Sequence, residues 1–164
     1  DFNYMMDNVE EFLERIPGRN SITFICTYNN LSITSMDQLL EKILELRAKY
    51  STTYQRIWFD VPLLRQPTWQ QITLLPESYQ IIHEENIEYM QKHCGNDRGY
   101  SKFNDFEIQK MQRNLAYWRE NADASTQNKK NFYAFFNEHD RRRLTRFLNT
   151  FPEMEEFWEE CRNV

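Results

Sequence analysis

Two short runs of alternating polarity, separated by one amphipathic stretch, limit what this chain can fold into more than any other feature. In residues 22–29, Ile22, Phe24, Cys26 and Tyr28 fall on one face of an extended strand, and Thr23, Ile25, Thr27 and Asn29 fall on the other. In RIWFDVPLL, residues 56–64, Ile57, Phe59 and Val61 share a face opposite Trp58, Asp60 and Pro62. Between them, Ser35-Met36-Asp37-Gln38 has the form of a capping box, and Asp37 suits the positive end of a helix dipole. Leu39, Leu40, Ile43, Leu44, Leu46 and Tyr50 then give the predicted helix a wide apolar face. A further helix precedes the first strand, with Met5, Val9, Phe12, Leu13 and Ile16 at helical spacing and Pro17-Gly18 as its stop. The order helix, strand, helix, strand predicts an α/β fold with parallel strands.

Beyond residue 66 the pattern changes. Pro67 and Pro76 bracket TWQQITLL, read as a loop with some strand character, and from Glu77 the periodicity is wholly helical. One helix runs through Ile81, Ile82, Ile87 and Met90, a break falls at residues 94–99, and a second helix carries Ile108, Met111, Leu115 and Trp118 at spacings of three, four and three. A third is expected to hold Phe132, Phe135, Phe136, Leu144, Phe147 and Leu148 together, and Pro152 separates it from a last helix with Phe157, Trp158 and Cys161. Residues 1–76 thus form the expected βα part and residues 77–164 a mostly helical C-terminal extension.

A formal net charge of −5 argues against broad attraction to nucleic acid or an anionic membrane surface, because neutralising phosphates takes a surplus of Lys and Arg. No run reaches the roughly 20 apolar residues of a membrane span. The expectation is a soluble, cytoplasmic protein, in which Cys26, Cys94 and Cys161, odd in number and far apart, are reduced thiols. His83 and His93-Cys94 have no second pair at metal-ligand spacing. Arg141, Arg142, Arg143 and Arg146 form the densest basic spot, expected to make salt bridges between the last helices and the rest of the fold. Residue 1 is Asp rather than Met, and the chain is expected to be a piece of a longer protein.

In parallel α/β proteins, ligands sit beyond the carboxyl ends of the strands. That rule singles out the polar knot Thr27, Asn29 and Asn30 after the first strand, and Asp60, Arg65 and Gln66 after the second. The stretch 21–50 contains no glycine, so the knot is not a phosphate cradle. Either these residues line a ligand mouth, or Asn29 and Asp60 only tie loops together, the commonest use of such side chains.

ITFICTYNNLSITS with MDQLLEKILELR, RIWFDVPLLRQPTWQQITLLP, and the closing FFNEHDRRRLTRFLNTFPEMEEFW together resemble the second half of radical SAM proteins of the twitch-domain-containing type, found in phages and bacteria. The resemblance spans most of the chain. It implies a fragment of a partial (β/α) barrel in which a four-iron, four-sulfur cluster cleaves S-adenosylmethionine and the deoxyadenosyl radical abstracts hydrogen from a substrate, a peptide or a small molecule. It also implies that Thr27, Asn29, Asp60 and Arg65 lie near the cofactor or substrate. The cluster motif CxxxCxxC is absent, so the isolated chain is expected to be inactive and to need a missing N-terminal barrel half as partner. The alternative is a non-catalytic α/β binding or interaction module.

Overall fold

A computed structural model of the chain describes residues 2–95 and 100–164, so part of the break expected at 94–99, residues 96–99, lies outside the described residues. The fold is mostly helical with a small parallel sheet. In chain order the elements are α1 (Phe2–Arg15), β1 (Ile22–Ile25), α2 (Met36–Tyr50), β2 (Ile57–Asp60), α3 (Gln80–Lys92), α4 (Asp105–Glu120), α5 (Thr126–Arg143), α6 (Phe147–Thr150) and α7 (Glu155–Arg162). They form two compact units. Unit 1 comprises Asp1–Cys26, Ser35–Pro62 and Glu85–Gln112, and unit 2 comprises Thr27–Thr34, Leu63–Glu84 and Arg113–Val164.

Unit 1 is built on β1 and β2, which run parallel with Ile22 beside Ile57 and Ile25 beside Asp60. Among the described residues this sheet has two strands, each half the length that the alternating runs predict. The alternation itself holds: Ile57 and Phe59 are buried, while Trp58 is 48% and Ile25 66% exposed on the opposite face. Met36, Leu40, Ile43 and Leu46 of α2 are buried, as are Met6 and Leu13 of α1. Polar ties join these two helices: Glu10 accepts from the Nζ of Lys42 and of Lys49, each at 2.9 Å, and Glu14 accepts from the Tyr50 hydroxyl at 2.8 Å.

Two arginines of unit 1 are buried, and the apolar pattern gives no hint of either. Arg56 donates to the carbonyls of Leu13, Ile16 and Asn20, so it satisfies orphan acceptors at the end of α1. Arg47 donates to the carbonyls of Ile57 and Lys102 and forms a two-pronged pair with Glu107, at 3.1 and 2.6 Å. Glu107 and Asn104 also exchange bonds through their backbone N–H groups and side-chain oxygens, at 3.1 and 3.0 Å, a reciprocal cap on the start of α4.

In unit 2, Phe132, Phe136, Phe147, Phe157 and Trp158 form one aromatic cluster, with Trp158 stacked on Phe147 at 4.6 Å and 14° between planes. The expected single helix through Leu148 is in fact broken. Leu144 adopts a left-handed conformation, φ 56° and ψ 38°, and closes α5. Asp140 then accepts from the Thr145 hydroxyl and the Phe147 N–H, which turns the chain into the short α6. Left-handed leucine is unusual, and neither Gly nor Pro marks the break.

Two further expectations are corrected. TWQQITLL lacks the expected strand character and winds instead into two consecutive 3-10 turns, Thr68–Gln70 and Ile72–Leu74, closed by bonds from Gln70 N–H to Pro67 O and from Leu75 N–H to Ile72 O. Ile72, Thr73, Leu74 and Leu75 are buried by this winding. The helix predicted from Ser35 does begin at Met36, but the Ser35 hydroxyl makes no cap bond, because Ser35 closes a 3-10 turn, Ile33–Ser35, that leads directly into α2.

Candidate functional site

The polar knot after β1 belongs to unit 2. A parallel bridge between Tyr28 and Leu63, with Leu64 N–H bonded to Tyr28 O at 2.9 Å, lays it beside the segment that leads to Arg65. Within the knot the residues divide by direction. Tyr28 is fully buried, and its hydroxyl meets His83 Nδ1 at 2.5 Å. Asn30 is fully buried too, with Nδ2 donating to Trp69 O at 3.1 Å and N–H to Gln70 O at 3.1 Å.

Asn29 folds onto its own turn: Oδ1 accepts from Leu31 N–H at 2.8 Å, and Nδ2 donates to Thr27 O at 2.9 Å. The Ser32 hydroxyl completes the turn by accepting from Asn29 N–H at 2.9 Å and donating to Asn29 O at 3.0 Å. This is an Asx turn, in which a short side chain imitates a backbone turn. Thr27 is exposed. Arg65 is exposed as well, its guanidinium 4.1 Å over the ring of Tyr117, and it has no carboxylate in ion-pair contact among the described residues.

Asp60 lies in unit 1 at the carboxyl end of β2. Its Oδ1 accepts from Val61 N–H at 2.9 Å and pairs with Lys110 Nζ from α4. The Lys110 ammonium also lies over the Phe106 ring, with Nζ 5.1 Å from its centroid. Of the four residues singled out from the sequence, Thr27, Asn29 and Arg65 belong to one backbone neighbourhood in unit 2, and Asp60 is held by partners of unit 1. Thr27 and Arg65 keep polar groups toward solvent, whereas the Asn29 side chain and one Asp60 oxygen are engaged locally. The two partners that the sequence reading missed, His83 and Lys110, are 55 and 50 residues away along the chain, and no local spacing signals either.

Compared with protein-family models, curated proteins and solved structures, the chain matches none.

The three thiols do not fit an iron–sulfur cluster. Cys26 follows β1 and Cys94 follows α3, both in unit 1, while Cys161 lies in α7 of unit 2. Burial raises the Cys26 thiol above its ordinary value and pushes Cys161 up to about 12, and burial together with Asp105 raises Cys94. Cluster ligands must converge on one centre, and these three thiols stand on separate elements. Among the described residues no group of three or more His, Cys, Asp or Glu side chains converges as a metal site would require. No described helix is long and apolar enough to cross a membrane.

Two of the four arginines of the basic spot are paired within their own helix. Arg141 and Arg142 both bind Glu138 of the same helix, at 2.7 and 2.6 Å, so these ion pairs are local and not the expected bridges between elements. Two guanidinium groups beside it hold the Glu138 carboxyl down to about 2. The tie between the last helices is instead Lys129 to Glu160, at 2.6 Å.

Proposed function

We propose that this chain is the later part of a radical SAM enzyme, in which unit 1 supplies the last parallel strands of a partial (β/α) barrel and another part of the protein holds the cluster. The observation that carries the reading is the unfinished sheet of unit 1. Ile22 N–H and Cys26 N–H bond to Arg56 O and Asp60 O, so by strand alternation Thr23 and Ile25 direct their backbone groups to the outer edge of β1. No strand pairs with that edge among the described residues. Beside it lies an apolar groove lined by Tyr4, Met5, Val9, Phe12 and Ile22, and one face of the sheet exposes Ile25 and Trp58. An open parallel edge flanked by apolar surface is a liability unless another strand and its helix cover it.

When bound, the cluster and S-adenosylmethionine would supply one-electron cleavage and hydrogen abstraction, chemistry that belongs to the cofactor. The residues of this chain would orient and enclose. Thr27 and Arg65 are the candidates for ligand contact, since both are exposed and the Arg65 guanidinium has no carboxylate in ion-pair contact among the described residues. Asn29 shapes the turn that presents Thr27.

The test is to express the chain joined to whatever its gene encodes immediately upstream in frame, reconstitute it anaerobically with iron and sulfide, and assay 5′-deoxyadenosine. Reductant-dependent formation that falls on Arg65→Ala is the expected outcome. A start codon directly before residue 1, or no 5′-deoxyadenosine from a cluster-loaded protein, would defeat the proposal. One observation favours the second reading, a non-catalytic interaction module: the Asn29 side chain and an Asp60 oxygen are spent on local bonds. On that reading the β1 edge accepts a strand from a partner protein.

A further inference from the structure

The corner that ends α5 holds a residue that the fold does not use. Leu144 sits in the left-handed position, φ 56°, where glycine is the usual occupant, and its side chain is 93% exposed. The bonds that make the corner come from other groups. Asp140 O accepts from the Leu144 and Thr145 N–H groups, and the Asp140 carboxylate accepts from the Thr145 hydroxyl and the Phe147 N–H. None of these needs a leucine. A residue that bears backbone strain and returns no packing is the kind of outlier that points to a role outside the fold.

Charge narrows what that role faces. Residues 138–146 carry four arginines against two carboxylates. Glu138 is shared by Arg141 and Arg142, and the Asp140 carboxylate is turned into the corner, while Arg143 and Arg146 are exposed with no carboxylate in ion-pair contact among the described residues. Successive residues of a helix turn by about 100°, so Arg141, Arg142 and Arg143 leave α5 on three sides just before the leucine. A protein groove meets one side of a helix, whereas cations spread around a protruding apolar tip suit a planar anionic surface met end-on. The acidic start of α7, Glu155 and Glu156, leaves that approach open. Lys129 pairs with Glu160 and Tyr133 packs on Trp158, so the two helices run in opposite directions, and beyond that contact α5 extends about 10 Å farther than α7. A formal net charge of −5 confines the attraction to this tip.

We propose that the α5–α6 corner is a membrane-contact site for a bilayer rich in anionic phospholipid. Leu144 enters the interfacial layer, and Arg143 and Arg146 sit among the headgroup phosphates. The site concerns unit 2 alone and does not depend on the barrel reading.

The experiment is cosedimentation of the chain with vesicles of equal parts phosphatidylcholine and phosphatidylserine. Half-maximal binding is expected at about 1 mM accessible lipid, as one leucine and two unpaired arginines allow. Leu144→Gly, which suits the left-handed position, should weaken binding about tenfold while the thermal midpoint holds or rises. Arg143→Gln with Arg146→Gln should weaken it about twentyfold, and vesicles of phosphatidylcholine alone should not bind. Four results would overturn the proposal. One is no binding to the anionic vesicles at about ten times the expected lipid concentration. Another is binding that survives Leu144→Gly, which would belong to the apolar edge of unit 1. A lowered midpoint in Leu144→Gly would give the leucine a structural task instead. Equal affinity for soluble polyglutamate at matched charge would assign the tip to an acidic protein.

Discussion

The two units solve the problem of a small interior in opposite ways. Unit 1 brings charge inside: Arg47 and Arg56 are buried and spend their donors on backbone carbonyls, with Glu107 neutralising the first. Unit 2 fills itself with rings, among them Phe132, Phe147, Phe157 and Trp158. Most of the large apolar side chains left exposed belong to unit 1, including Tyr4, Met5, Ile25 and Trp58. The contrast teaches that specificity and closure are separate achievements. Bonds of fixed geometry hold one arrangement of elements in unit 1 although its apolar surface is not fully covered, whereas close ring packing covers most of unit 2 but depends on volume rather than direction.

Removing a charge is the strongest way to break the comparison. Glu107→Ala leaves the Arg47 guanidinium buried without its counter-charge, and urea unfolding should register a loss of about 3–5 kcal/mol. If the loss is below about 1 kcal/mol, water reaches Arg47 and unit 1 is not organised by that pair. In unit 2 the corresponding probe alters ring shape while keeping an apolar side chain: Phe132→Leu should cost about 1–2 kcal/mol, since it forfeits edge contacts with four neighbouring rings but leaves much of the volume filled.

A smaller effect is expected from acid. Two lysine ammonium groups hold the Glu10 carboxyl down from 4.5 to about 2. A folded-state value below the unfolded one adds stability that is fully present above about pH 4.5 and drains away as pH falls toward 2. For a partly solvated pair on the α1–α2 seam, its size is about 0.5–1 kcal/mol. Glu10→Gln should flatten the stability profile across that interval and leave it unchanged near neutrality apart from this constant loss; an unaltered acid limb would show that the lysines are screened. Least costly of all to the fold, Ile25→Lys with Trp58→Lys should change stability by about 0.5 kcal/mol or less, these being exposed positions. Sedimentation should nonetheless show reduced self-association relative to the unaltered chain, and a parent chain that stays monomeric at all concentrations would remove the premise.

What could be read from the sequence was whatever short-range periodicity encodes. Ile108, Met111, Leu115 and Trp118 were set on one helical face by spacing alone, and all four are buried. The alternation in β1 and β2 likewise sorts buried from open positions. Arg47 could not be read this way, because a cation within α2 resembles a solvated edge until Glu107, 60 residues later, is brought to it. A sequence signal for the far end of that pair did exist: Asn104-Asp105-Phe106-Glu107 has capping-box spacing, and it marks a genuine cap where Ser35 to Gln38 does not. At the candidate site, the Asx turn of Asn29 follows from local chemistry, whereas the engagement of Asp60 by Lys110 depends on tertiary placement. The break at Leu144 had no antecedent in composition, since the left-handed residue there is neither Gly nor Asn.

The distribution of indoles gives this molecule a two-colour optical signature. Trp58, 48% exposed, is the sole tryptophan of unit 1 and should emit toward the red and be readily quenched by iodide. Unit 2 holds Trp69, Trp118 and Trp158, and the nearly coplanar Trp158–Phe147 pair should lend it a strong near-ultraviolet dichroism that Trp58 lacks. A single titration with denaturant can thus follow each unit by its own light, and the midpoints of the two signals will coincide only if the chain melts as one cooperative body.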